Sequence, residues 1–389
     1  MQIFKSLFRS GSLIKTTFIL CYLLSLVAEV LNLDSVTSLV NAAFAFTAVF
    51  VTYKGNLINR PIITELVIIL IMLLIYNITG HSQLYVGWNG ANERGVFLET
   101  FLLFIYLIIP CYLSKTSRLN DKDIEFLFYI TFIYAIVMYF KNLFIVSTLI
   151  GSTLGVGETT NNFGYMFVCL SPFLFLLENK KKQISLLLTA FIIVFLSAKR
   201  GAILLEIIFL FFYLYNTYLK GRISLGKILM FVILIGIVSL VCYNIMLSNE
   251  YIYNKFIMTT EGYSSGRDTI TEDILRYVFG PNRSSFSLFF GSGIGTSVNV
   301  AGKWAHNDWL EFLSMSGVLG ILVYLKFYLA MWNIKNKVSF SKYFLVFVST
   351  AMLLFVMSFF SMAILISTST SYFLMVLMGY SYGKLTYKV

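Results

Sequence analysis

Three residues far apart in this chain have the chemistry to act on a phosphate-bearing anion. His306 stands in Ala305-His306-Asn307-Asp308-Trp309-Leu310, Arg267 in Ser264-Ser265-Gly266-Arg267-Asp268, and Arg200 in Ser197-Ala198-Lys199-Arg200-Gly201-Ala202. A guanidinium is a planar fork that grips phosphate oxygens bidentately, which a lysine ammonium cannot do. An imidazole, with an unperturbed pKa of about 6.5, can take a proton from a hydroxyl as that hydroxyl attacks. Two neighbouring cations would hold it neutral and ready to do so.

The elements that must position these residues are membrane helices. Of 389 residues 58% are hydrophobic and 12% charged, about half the charge of soluble domains, and mean hydropathy is +0.83; this is a membrane protein. The formal charge of +11 lies in short loops between apolar runs and not in a stripe that could track a nucleic-acid backbone, so no nucleic-acid partner is expected. Cys21, Cys111, Cys169 and Cys242 show no C-x-x-C spacing, and the two histidines, His81 and His306, are distant in sequence. Neither a disulfide framework nor a zinc site is indicated, and no metal or cofactor is expected. The N-terminus, with Lys5, Arg9 and Lys15 ahead of an apolar run, lacks a small-residue cleavage site near Leu26-Val27-Ala28-Glu29-Val30 and reads as a retained first span.

A span needs about 20 apolar residues. About twelve such runs are present, near 13–33, 36–53, 62–80, 96–113, 124–144, 161–178, 184–199, 201–219, 227–247, 306–331, 342–361 and 363–383. The fold class expected is therefore all-α: a single polytopic bundle, residues 1–389, with one large helical extracytoplasmic loop at 248–305. If the spans alternate, the loops rich in lysine and arginine, from Lys5 to Lys388, share one side. By the positive-inside rule that side is the cytoplasm and holds both termini. Every loop with interesting chemistry then falls outside.

A connection as long as 248–305 needs structure of its own. Ser265-x-x-Asp268 reads as a helix start, and Ile270, Ile274 and Val278 recur every four residues up to Gly280-Pro281, which draws one apolar stripe. Arg267 then falls in the first turn, where free N–H groups and the helix dipole also favour an anion. Arg200 follows a run of about 16 residues, which reaches about 24 Å and falls short of the roughly 30 Å hydrocarbon core. It is a pathway-facing charge or an arginine snorkelling to headgroups.

His306 opens a helix and either caps it or faces the loop, while Asn307 and Asp308 are alternative caps. Gly291-Ser292-Gly293-Ile294-Gly295 lacks the βαβ frame of a nucleotide site and reads as a flexible turn. Asp121-Lys122-Asp123 resembles a paired-acid metal motif but falls on the basic side, as a solvated loop. Glu29 and Glu206 lie within spans and either carry protons or pair with neighbours. Arg94, Lys141 and Lys303, with Asn307, are further outside groups that either touch phosphate or are solvated.

The order S-A-K-R-G-A, S-G-R-D, G-S-G-I-G and H-N-D-W-L-E-F-L-S-M-S-G-V-L-G over 197–320, with a fainter echo at Thr160-Asn161-Asn162-Phe163-Gly164, resembles the O-antigen ligase and O-antigen polymerase superfamily of bacterial membrane glycosyltransferases. The resemblance implies a GT-C-like fold in the bacterial plasma membrane. It also implies a metal-independent, inverting transfer of sugar from undecaprenyl diphosphate on the outer face. Arg200 and Arg267 would bind the donor diphosphate, and His306 would activate the acceptor hydroxyl. The family often carries an acid shortly before the motif's G-x-x-G; here Met315-Ser316-Gly317 stands in its place, with Glu311 one turn away.

The expected function is an O-antigen or capsular polysaccharide polymerase. It would move a growing glycan from one undecaprenyl diphosphate to the terminal sugar of a lipid-linked repeat unit, among membrane lipids and with a chain-length regulator as a candidate partner. The alternatives are a ligase that hands the glycan to the lipid A core, and a transporter or flippase coupled through Glu29 or Glu206.

Overall fold

The computed structural model describes residues 13–78, 93–150, 163–197, 199–219, 266–281, 284–334, 341–361, 363–364 and 371–386, with isolated positions between 226 and 257. Their regular elements are helical, as long apolar runs require: hydrocarbon offers no water to a backbone N–H or C=O, and a helix satisfies both within one segment. In chain order they are α1 (Leu13–Leu31), α2 (Asp34–Gly55), α3 (Pro61–Ile78), α4 (Glu93–Lys115), α5 (Asp121–Ile150), α6 (Phe163–Leu170), α7 (Lys180–Leu196), α8 (Arg200–Leu214), α9 (Arg267–Phe279), α10 (Ser285–Phe290), α11 (Thr296–Ala301), α12 (Asp308–Trp332), α13 (Lys342–Phe360) and α14 (Tyr372–Thr386). Eight of them, α1 to α5, α8, α12 and α13, have the length and apolar composition of a bilayer span, α12 only when its 25 residues are counted across a break at Gly317. The chain is a multi-pass helical membrane protein.

Several expected spans take another form. The run 161–178 is the short α6 followed by a 3-10 turn at Ser171–Leu176, started by Pro172, which has no N–H to continue an α-helix. Of the last run, Ala363 and Ile364 are not helical, their N–H groups donating to the Asp308 carboxylate, and the described helix covers Tyr372–Thr386. The run 227–247 and residues 248–265 of the long loop fall almost entirely outside the described residues.

The largest departure is α12, expected to be one long helix. Gly317 has φ 64 and ψ −155, and the helix folds back there. The Phe312 and Tyr324 rings stack at 4.5 Å and Trp309 meets Tyr324 at 4.9 Å. In a straight helix the 15 residues from 309 to 324 would span about 22 Å. An arm of 308–316 therefore lies against an arm of 317–332.

The chain divides into two compact units, 1–134 with 266–389 and 135–265. In the first, helix directions follow from paired contacts. Lys15–Asp123 and Tyr22–Thr131 set α1 parallel to α5. Leu107 and Cys111 of α4 meet Gly379 and Gly383 of α14, also in parallel; a Cβ on Gly379 would stand 2.0 Å from the Leu107 oxygen. This four-residue glycine spacing lets two backbones touch, a common packing device where apolar burial gives helices no drive to associate.

The same contacts gather one end of the unit. There Lys115 donates to the Gly55 carbonyl at 2.8 Å, Asp121 accepts from Lys342, Tyr343 and Tyr380, and Lys384 lies 5.5 Å from the Tyr380 ring centre. Asp121 and Asp123 are thus not a solvated loop. Asp123 and Lys15 form a buried pair at 2.7 Å, with side chains 4% and 2% exposed, and Asp123 exchanges capping bonds with Asn120. Lys15, expected as a loop charge, is a helix-to-helix link.

In the second unit, Gly164 packs on Ser197 and Ala202, so close that a Cβ would stand 2.3 Å from the Ser197 oxygen. Gly164 of the N-N-F-G echo thus meets the segment that carries Arg200. Helix α7, capped by Asn179, has 17 residues and reaches about 25 Å, short as expected. Glu206, fully buried, accepts from the Ser171 hydroxyl at 3.0 and 3.2 Å.

Removing one member of a buried ion pair strands the other, at about 3 to 5 kcal/mol. Lys15→Met is expected to lower thermal stability in detergent by that amount, and Lys15→Met/Asp123→Leu to recover most of it. Equal loss in the single and double variants would show that the pair contributes nothing.

Candidate functional site

Helix α9 begins at Arg267, one residue later than a Ser265 cap would start it, and Ile270, Ile274 and Val278 are its buried face, as their spacing predicts. They pack with Ala305, Tyr277, Leu288, Ala301, Leu310 and Leu313, so α9 lies on the first arm of α12. The helix start is made by Gly266, whose φ is 74; Ser265 lies outside the described residues. Arg267 Nη1 donates to the Phe360 carbonyl at the end of α13, at 2.9 Å. Among the described residues no acid pairs with Arg267.

The H-N-D-W turn closes on that same helix end. Asn307 caps α12, its side-chain oxygen accepting from Trp309 and Leu310 N–H at 2.9 and 3.2 Å, while Nδ2 donates to the Phe359 carbonyl at 3.3 Å. Trp309 Nε1 donates to the Ser358 hydroxyl at 2.9 Å. Asp308, with no exposed surface, accepts from Tyr324 at 2.7 Å, Ala363 N–H at 3.0 Å and Ile364 N–H at 3.1 Å. Arg267 and Asn307 therefore grip successive carbonyls, Phe360 and Phe359.

Immediately before Asn307 stands His306, exposed and with φ 51. A non-glycine residue in the left-handed region costs about 1–2 kcal/mol and persists only where its neighbours enforce it. On one side Asn307 is capped as described. On the other, the Ala305 N–H donates to the buried Glu311 carboxylate at 2.6 Å, which also accepts from the Ser297 hydroxyl at 2.7 and 2.8 Å. Glu311 thus fixes the approach to His306 from beneath.

The G-S-G-I-G segment is not a flexible turn. Ser292 and Gly293 N–H donate to the Ser314 and Met315 carbonyls, at 3.1 and 2.9 Å, where the first arm of α12 ends. Gly291 lies on the Met315 backbone, and a Cβ on Gly317 would stand 2.4 Å from the Leu288 oxygen. Two backbones meet where no side chain fits.

Of the other expected site residues, Lys303 is exposed in the turn after α11, and Arg94 lies in the first turn of α4 with its side chain outside the description. Arg200 is the first residue of α8, half-buried, in the second unit. Sequence reasoning missed Asp308 and Glu311 as organising groups. The available signal was two carboxylates one turn apart at the start of an apolar run, where charge is expensive unless it is paired.

Comparison of the chain with protein-family models and with curated proteins gives no match.

Two outcomes follow. Asp308→Asn removes a charged acceptor and is expected to raise hydrogen-exchange rates at Ala363 and Ile364 at least tenfold, with the α4 and α14 amides unchanged; unaltered rates would remove Asp308 as the anchor of that turn. Gly317→Ala adds a backbone clash to an unfavourable φ, whereas Gly302→Ala, with φ 71 and open space around it, adds only the latter. Gly302→Ala is expected to cost about 1 kcal/mol and Gly317→Ala several times more. Equal losses of thermal stability would contradict the close approach.

Proposed function

We propose that the chain is a glycosyltransferase that takes its glycan from undecaprenyl diphosphate at the outer face of a bacterial plasma membrane and extends a lipid-linked repeat unit, as a polysaccharide polymerase. The observation that carries this reading is the shared anchorage of Arg267 and the His306–Asn307 turn on Phe360 and Phe359. It holds a guanidinium and the imidazole-bearing turn at one end of α13. The opposite end of that helix, at Lys342, belongs to the basic cluster, and the positive-inside rule assigns such a cluster to the cytoplasm.

The chemistry fits that place. No nucleotide sugar is supplied outside the cell, so an activated donor must arrive on a lipid. In a single inverting displacement, the acceptor oxygen bonds to the anomeric carbon as the bond from that carbon to the phosphate oxygen breaks. The electron pair leaves with the diphosphate, whose charge Arg267 and Arg200 would stabilise, and the acceptor proton passes to His306. Preorganised donors of this kind are worth about 3 to 4 kcal/mol each. The short α7, the start of α8 at Arg200 and the packing of Gly164 on Ser197 support a structured role for the second arginine. GT-C-like topology and about twelve spans belong to the same proposal. Transport is the rival reading, and the fully buried Glu206, hydrogen-bonded to Ser171, is the observation that favours it.

Purified full chain in proteoliposomes, supplied with undecaprenyl diphosphate-linked repeat units and no ion gradient, is expected to yield longer lipid-linked glycans. Arg267→Ala, Arg200→Ala and His306→Ala should each lower the rate by about 100-fold or more, while Glu272→Ala, on the exposed face of α9, should not. Full activity in either arginine variant would overturn the site. Transfer only to a lipid A core would make it a ligase, and gradient-dependent flipping without new bonds a transporter.

A further inference from the structure

The region between α9 and α12 reads in sequence as part of an aqueous loop, yet its middle helix has the surface of a membrane element. Helix α10, Ser-Phe-Ser-Leu-Phe-Phe, carries no charge and buries none of its residues. Phe286, Phe289 and Phe290 are 65%, 55% and 44% exposed, and the Phe286 and Phe290 rings lie 4.7 Å apart. Helix α9 differs: its outward residues include Asp268, Glu272 and Arg276, the last two paired at 2.6 Å.

The position of α10 says what covers the phenylalanines. Tyr76, in the last turn of α3, donates to the Phe290 carbonyl at 2.5 Å. The described part of helix α3, Pro61–Ile78, is about 27 Å at the standard rise, close to the hydrocarbon core of roughly 30 Å, and Tyr76 belongs to this apolar stretch. Gly317, where α12 reverses, touches the backbone of Leu288 and Phe289. Helix α10 is therefore joined to two membrane helices, to α3 at Tyr76 and to the second arm of α12 at Gly317, and both carry exposed apolar side chains of their own. A cluster of exposed aromatic rings joined to membrane helices marks a lipid contact, because soluble surfaces rarely leave such patches uncovered.

We infer that α10 is a membrane-inserted anchor: Phe286, Phe289 and Phe290 contact phospholipid acyl chains of the leaflet reached by the end of α3, while α9 remains in water. The cap that carries Arg267 and leads to His306 is thereby tethered at the bilayer edge, whatever reaction it serves.

The test uses the full wild-type chain in phosphatidylcholine vesicles containing a phospholipid with a diazirine in its acyl chain. After photolysis, adducts mapped by mass spectrometry are expected on 286–290 at a level comparable to 319–322, with none on 268–276. Hydroxyl-radical footprinting of the same vesicles should leave Phe286 and Phe289 unoxidised. Oxidised, unlabelled phenylalanines would place α10 in water and overturn the inference. Phenylalanines neither labelled nor oxidised would show a protein surface over them, such as a second copy of this chain, and would overturn it equally.

Discussion

Hydrocarbon cannot solvate a backbone carbonyl, and the architecture around the candidate site follows from how the chain meets that demand at one break. Where the first arm of α12 ends, the Ser314 and Met315 carbonyls have lost their helical partners, and the N–H groups of Ser292 and Gly293 replace them. Glycines on both sides, Gly291 and Gly317, let the strands come close enough to do so. This fastening fixes α10 and the glycine segment to the hairpin. Through Ser297 and Glu311 it also fixes the approach to His306. The turn with the candidate base is thus held by the loop that precedes it as much as by the helix that follows.

The charged groups form a second level of organisation. Lysines and acids close one end of the first unit in pairs, Lys15 with Asp123 and Lys342 with Asp121, and such pairs add little more than the cost of their own desolvation. At the other end of α13 the pattern differs. Asp308 and Glu311 are buried and take backbone N–H groups, so their charges serve to shape loops. Arg267 spends one N–H group on Phe360, and no acid among the described residues neutralises it. An arginine oriented by a carbonyl keeps its full charge for an anionic ligand; one locked to a carboxylate does not.

Much of this was legible in the residues. The runs near 13–33, 36–53, 62–80, 96–113 and 342–361 became helices because length and hydropathy alone decide them. The Ile270, Ile274 and Val278 stripe gave α9 its buried face, since a four-residue spacing has one helical solution, whereas the cap fell on Gly266 and not on Ser265. The reversal of α12 was not legible. Ser316-Gly317-Val318 lies in an apolar run like any other, and only the contact with Leu288 and Phe289 forces the left-handed glycine. The glycine segment was misread for the same reason: glycine serves both mobile turns and tight backbone contacts, and composition does not tell them apart. Asp123 and Lys15 looked solvated because each stands near a loop, whereas their partners come from another helix.

The proposed transfer would require Arg267 and Arg200 to hold one lipid diphosphate beside His306. The most direct measurement is a cryo-electron-microscopy map of the full chain in a lipid nanodisc with undecaprenyl diphosphate bound. The diphosphate is expected within hydrogen-bond distance of both guanidinium groups, with the His306 ring on the side open to an acceptor. A diphosphate bound elsewhere, or Arg200 on the membrane face opposite His306, would contradict it.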